Sequence, residues 1–225
     1  MQVTALTQLV RPMDLTDIAQ VMEVEQQSFP TMWPPTAFRR EIQHNRLARY
    51  LVAAQRRPDA PPPVRTRNAG LRRLVDGLRP NGRASARTIV DRDDTPPEER
   101  DELVVGFIGL WLLVDEAHIV TIAVRDSYRG RGVGELLLIA AIEAALREAQ
   151  DTVTLECRVS NSVALRLYQK YGFQQAGLRP RYYSDDHEDA YILTAASVSS
   201  PAYRERFARL RDEHRDRFGD YELDF

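Results

Sequence analysis

One cysteine, one lysine and two tryptophans occur in a chain of 225 residues. A lone Cys157 cannot close an internal disulfide, which excludes a disulfide-held scaffold and fits a reducing compartment such as the cytoplasm. The four histidines show no metal-ligand spacing, so no metal site is expected. No apolar run approaches the ~18 residues needed to span a bilayer. The first residues, Met1-Gln-Val-Thr-Ala-Leu-Thr7, lack a basic region followed by an apolar core, so neither a membrane segment nor a signal peptide is expected. Neither sign of charge dominates: the net charge of −2 gives no reason to require nucleic acid or an anionic membrane as a partner.

What is present is concentrated in residues 118–146. His118 to Val124 is a β-branched run, as in a strand buried on both faces. Glu135 to Leu146 is rich in Leu, Ala, Ile and Glu, a helix-forming composition. Between them lies a glycine-dense turn, Arg129-Gly-Arg-Gly-Val-Gly134. A strand, a glycine turn and a helix together present unpaired amides and a positive dipole end to a phosphate. Arg129 and Arg131 add full charges beside those donors. A dinucleotide fingerprint needs its third glycine at 135, which is Glu135. A Walker loop needs Gly-Lys-Ser/Thr, and the sole lysine is Lys170. A tight turn without a ligand is the plain alternative.

Taken in order, residues 8–11 read as a short strand closed by Pro12. Asp14 or Thr16 can cap a helix over 17–28 that carries Ile18, Val21, Met22 and Glu25 on one face. Phe29-Pro-Thr-Met-Trp33-Pro-Pro35 breaks it, and Thr36 can cap a second helix to about His44. Arg49 to Ala54 reads as a strand. Residues 56–100 hold seven of the thirteen prolines and eleven arginines. They have too little apolar surface to offset chain entropy. They read as an inserted, poorly ordered loop with room for a short helix near 69–78, either a solvated linker or a basic docking arm. Glu102 to Leu113 and 118–124 form a hairpin through Asp115-Glu116. Thr152 to Val159 alternates, with Val153, Leu155, Cys157 and Val159 on one face and Thr154, Glu156 and Arg158 on the other. Ser160 or Asn161 caps a short helix ending at Gly172. Residues 173–177 and 190–195 read as closing strands. A helical tail over 197–225 begins at Ser200-Pro201.

Several of these stretches agree with one family. The turn Arg129-x-x-Gly132-x-Gly134 after Ile122-Ala-Val124 resembles the acetyl-CoA pyrophosphate loop of the GNAT acetyltransferases. Thr121-Ile-Ala-Val124, Leu155-Glu-Cys-Arg-Val-Ser-Asn161, Leu167-Tyr168, Tyr171-Gly-Phe173, and Arg181-Tyr-Tyr183 followed by Glu188-Asp-Ala190 resemble the RimI-type ribosomal-protein-alanine N-acetyltransferases of that superfamily. The resemblance covers 1–55 and 101–196, a single GNAT domain, and leaves out the insertion and the tail. It implies an α/β (α+β) GNAT fold: a mixed, mostly antiparallel sheet with helices on both faces, splayed at the strand where acetyl-CoA enters.

The resemblance also implies roles. Glu156 is the general base, acting through water, and a salt-bridged strand carboxylate is its ordinary alternative. Tyr168 is the general acid that protonates the departing thiolate; a tyrosine anchoring its helix is the alternative. The amides of Ile122 and Val124, with Ala123 between them, pair with pantetheine like an added strand. Gly130, Arg131, Gly132, Val133, Gly134 and Glu135, with Arg129, wrap the pyrophosphate. Asn161 contacts the CoA arm, caps its helix, or does both. Phe29, Trp33, Tyr182 and Tyr183 face the acceptor peptide or are plain packing residues. Cys157, on the apolar strand face, reads as core, so transfer is direct in a ternary complex. His118 reads as structural. The implied acceptor is a protein N-terminus, that of a ribosomal protein, with a lysine side chain or small amine as the alternative. No metal is needed.

Overall fold

The computed structural model describes residues 8–56 and 102–225. The readings made of 57–101, including the helix near 69–78, lie outside the described residues. Strand β1 (Gln8–Pro12) leads through a 3-10 turn into α1 (Ile18–Ser28) and α2 (Pro35–His44). Then come β2 (Ala48–Arg56), β3 (Glu102–Leu112) and β4 (Ala117–Val124). The order continues with α3 (Val133–Arg147), β5 (Thr152–Arg158), α4 (Ser162–Lys170) and β6 (Gln174–Arg179). It ends with β7 (Ala190–Ala196), α5 (Pro201–Phe218) and β8 (Tyr221–Leu223).

Among the described residues the strands form one eight-stranded sheet in the order β6-β7-β5-β4-β3-β2-β1-β8. The β4–β5 and β1–β8 pairs are parallel and the others antiparallel, so the sheet is mixed and mostly antiparallel. One apolar cluster joins one sheet face to α3, to Tyr168 and Tyr171, and to Phe207 of α5. A second joins the other face to Val21 and Val24 of α1 and Phe38 of α2. Helices therefore cover both faces. Every residue of α3 from Leu136 to Ile142 is buried, which is why its sequence is apolar all round rather than striped. Each such Leu or Ile contributes about 1.5–3 kcal/mol of transfer free energy.

The caps follow local chemistry, with two departures from the sequence reading. Asp14 forms a capping box with Asp17 and accepts from the Thr16 amide, so Thr16 lies inside the turn. α2 starts at Pro35 with Pro34 before it and no side-chain cap. Proline fits a first helical position, having no amide to satisfy, and Thr36 falls inside the helix. Asn161 caps α4 by accepting from Ala164 N at 3.1 Å, and Ser200 caps α5 by accepting from Tyr203 N at 3.3 Å. The tail packs on the core and adds β8 beside β1, a strand the sequence reading missed.

Candidate functional site

The site opens where β4 and β5 part. They pair only at Ala117↔Val153, His118↔Thr154 and Ile119↔Leu155. Beyond Ile119, β4 stays with β3, while β5 stays with β7. The gap is a cleft of 540 Å³ lined from α1 and its following loop, from both parting strands, from Asn161 and Tyr168, and from the β6–β7 loop. The splay leaves one edge of β4 unpaired. The Arg125 amide donates to Val105 O at 2.9 Å, and in an antiparallel ladder successive amides alternate sides. The amides of Ile122 and Val124 therefore face the gap, while that of Ala123 faces β3. The two outward amides could pair with an extended ligand, as an added strand would.

At the end of β4 the chain turns through Gly130 and Gly132, at φ +73° and +82°, into α3. The Leu136 amide is the first to close onto the turn, on Gly132 O at 2.9 Å. The amides of Val133, Gly134 and Glu135 are thus the free donors of the helix start. Residues here fit an anion, but not all as the sequence suggested. The Arg129 guanidinium is spent on Asp126 at 2.8 Å, on Val124 O and Gln27 O, and on Ser28 Oγ. It ties the loop to the end of α1. The Glu135 carboxylate accepts from Lys170 Nζ and Tyr171 Oη, each at 2.8 Å, leaving its backbone amide for a ligand. Arg131 lies over the Tyr128 ring, 5.2 Å from its centroid.

A further contact was not anticipated. His214 of α5 donates its Nε2–H to Gly132 O at 3.1 Å, and the Phe218 ring covers the same glycine. A Cβ on Gly132 would lie 2.5 Å from that ring. The tail thus braces the loop from behind. Nothing in the tail sequence, a broken aromatic stripe, marks the loop as its partner.

Glu156 lies on the strand face opposite Cys157, as the alternation predicts, and its side chain is 8% exposed. Its Oε2 is 3.0 Å from His118 Nε2 and its Oε1 2.9 Å from Arg179 Nε. The hydrogen bond to His118 holds the carboxyl below its ordinary value; burial opposes this and the charge of Arg179 reinforces it. His118, whose Nδ1 contacts Thr154 Oγ1 at 2.9 Å, therefore orients a site residue in addition to opening a strand.

Tyr168 is buried at the cleft floor, and its hydroxyl makes no hydrogen bond to a described residue. Burial pushes its phenol well above its ordinary value, with Cys157 and Tyr183 adding to the shift. The Cys157 thiol is pushed up to about 11 by burial and, secondarily, by Glu188. It stays protonated near neutrality and is a poor nucleophile.

Phe29 and Trp33 line the cleft on one side, Tyr182 and Tyr183 on the other. The β6–β7 loop carrying the two tyrosines is held by Arg158. Its guanidinium bonds Asp185 at 2.6 Å, Asp186 at 2.8 Å and Glu188 at 3.1 Å, and lies 3.8 Å from the Tyr183 ring centroid. Glu25 of α1, 3% exposed, also lines the cleft and accepts from the Trp33 amide at 3.1 Å. The sequence signal for Glu25 was a carboxylate on an otherwise apolar helix face. The roles of Arg158 and Arg179 depend on strand register and had no local signal.

Among the described residues no group of His, Cys, Asp and Glu could hold a metal ion, and no helix is long and apolar enough to cross a membrane.

Comparison with known proteins agrees with this geometry. The model of the Acetyltransferase (GNAT) family matches residues 66–173. A Bacillus subtilis protein named as a ribosomal protein bS18-alanine N-acetyltransferase is 32% identical over 184 residues, covering 82% of this chain and 92% of that one. The Salmonella typhimurium ribosomal protein bS18-alanine N-acetyltransferase is 36% identical over 95 residues, 41% of this chain and 64% of its own. Among solved structures, the ribosomal-protein-S18-alanine N-acetyltransferase of Escherichia coli superposes with a TM-score of 0.58 at 21% identity. That match covers 85% of this chain and 94% of the other.

Proposed function

The chain belongs to the GNAT acetyltransferases, among the RimI-type N-acetyltransferases, and from that premise we propose that it moves acetyl from acetyl-CoA to the N-terminal α-amine of a ribosomal protein, at an alanine. The observation that supports the reading is the parting of β4 and β5, with Ile122, Glu156 and Tyr168 lining one cleft.

In this reading acetyl-CoA is the co-substrate and supplies the activated acyl group. The amides of Ile122 and Val124 take the pantetheine arm, and one of them polarises the thioester oxygen. The free amides at the start of α3, with Arg131, hold the pyrophosphate. Asn161 contributes to the CoA arm while capping α4. Phe29, Trp33, Tyr182 and Tyr183 flank the acceptor peptide.

An α-ammonium has a pKa of ~8, so a proton must leave before nitrogen can attack. Glu156, ionised at neutral pH, receives that proton through water. When the tetrahedral adduct collapses, the C–S bond breaks, Tyr168 gives its proton to the departing thiolate, and the remaining surplus proton of the attacking nitrogen returns the phenolate to a phenol. The phenol is protonated at neutral pH, so that proton is in place when the thiolate forms. Cys157 takes no part, and transfer is direct. The setting is the cytoplasm, where ribosomal proteins are made.

The test is to incubate the protein with acetyl-CoA and either a peptide with a free N-terminal Ala or the same peptide blocked but carrying Lys. Acetylation of the first alone supports the reading. Acetylation of the second alone replaces it with lysine acetylation.

A further inference from the structure

Glu25 is out of place by every rule of helix patterning. It lies on the inner face of α1 with Ile18, Val21 and Val24, all buried. Its Oε1 accepts from the Trp33 amide, and its Oε2 has no hydrogen-bond partner among the described residues. No described lysine, arginine or histidine is ion-paired with it. A buried carboxylate with one amide donor is costly relative to a paired one, and an apolar residue here would spare that cost.

The other acids in the cleft wall are neutralised. Glu156 is held by His118 and Arg179, and Asp185 by Arg158. Glu25 lines the same cleft, and no cation among the described residues is paired with it. Burial raises its carboxyl above the ordinary value, and the Trp33 amide offsets part of this. The terminal torsion of a glutamate is soft and two-fold, so either oxygen can serve the Trp33 amide and one is always left over. A carboxylate in a cleft wall with no described cation paired to it is a receptor for a compact cation with N–H donors.

We infer that Glu25 binds the α-ammonium of the incoming chain, through the carboxylate oxygen that the Trp33 amide leaves free. This rests on the N-terminal acetyltransferase reading and goes beyond it by dividing the work between two carboxylates. Glu25 receives the charged amine, and Glu156, already paired, takes up the proton released before attack. The same carboxylate carries the Trp33 backbone, so amine binding and the placement of the loop bearing Phe29 and Trp33 are joined at one group.

The test uses the full chain with coenzyme A bound and two peptides, one with a free N-terminal Ala and one in which hydrogen replaces the α-amino group. Wild type should bind the amine peptide at least tenfold more tightly than the des-amino peptide by calorimetry. Glu25→Gln keeps an acceptor for the Trp33 amide but loses the charge. It should bind the two peptides alike and raise KM for the amine peptide about tenfold, with the affinity for acetyl-CoA unchanged. A purely structural role would weaken both peptides equally and leave their ratio intact, which overturns the proposal. So does a wild-type protein that does not distinguish the two peptides, a measurement that needs no variant to fold. Acetyl transfer by wild type to the amine peptide is recorded alongside. Its absence removes the function reading itself, whereas transfer with an unchanged ratio in Glu25→Gln removes only the role of Glu25.

Discussion

The imidazole of His118 and the carboxylate of Glu156 meet at 3.0 Å across the last paired rungs of β4 and β5, so the group assigned to proton removal is fixed by the strand from which its own strand is about to separate. Glu156→Gln should lower kcat about 10²-fold, the lower end of what a general base contributes, while leaving acetyl-CoA affinity nearly unchanged. Steady-state kinetics beside calorimetry measures both. Turnover equal to wild type would remove Glu156 from the chemistry.

Because its pairing lowers the Glu156 carboxyl, Glu156 is ionised well below neutrality, and the rise of kcat/KM with pH should instead follow the acceptor amine near pH ~8. Arg179→Ala removes one partner and lets the carboxyl rise toward its ordinary value. Because that ordinary value is itself well below neutrality, the acid limb of the pH–rate profile should stay with the acceptor amine. The linked effect on stability runs in the same direction, at lower pH. A depressed carboxyl stabilises the fold above its unfolded value and loses that contribution as pH falls through its folded value. Glu156→Gln should therefore lower Tm at pH 7, and the difference from wild type should shrink in acid.

Tyr168 offers a cleaner separation of chemistry from structure. Its hydroxyl makes no hydrogen bond to a described residue and Tyr168 lines the cleft, so Tyr168→Phe removes no bond among the described residues. Tm should stay within a few degrees of wild type while kcat falls at least tenfold. Equal losses of stability and activity would make the residue a packing element.

Gly132 carries two constraints at once, a φ of +82° and the Phe218 ring on the side where a Cβ would lie. Gly132→Ala should weaken acetyl-CoA binding by tenfold or more. Adding Phe218→Ala relieves the collision but not the backbone cost of about 1 kcal/mol or more. The double variant should regain part of the affinity. Calorimetry with the two singles and the double gives the division.

His214→Ala removes the bond that the tail makes to Gly132 O. It should raise the Kd for acetyl-CoA several-fold without changing the apparent KM for peptide. A change confined to peptide would mean that the tail acts elsewhere.

Much of this site was legible because it is local. The run from His118 to Leu146 changes from strand composition to helix composition across a glycine turn, and the structure keeps those boundaries to within two residues, with β4 at Ala117–Val124 and α3 at Val133–Arg147. The alternation through 152–159 put Glu156 and Cys157 on opposite faces, as found. What was not legible depends on register. His118, Arg179 and Arg158 reach their partners across neighbouring strands or loops, and pairing of that kind leaves no periodic trace. Strand β8 has only three residues, too few to show alternation, and exists because β1 offers it an open edge. Glu25 was visible on its helix face, but not that no described cation is paired with it.

Arg56 and Glu102 stand opposite each other in the β2–β3 ladder. They share one rung, so the two strand ends that a connection must join already lie side by side, and the entropy of closing a connection grows only with the logarithm of its length. A change in the length of that connection should therefore leave the catalytic half of the sheet in register.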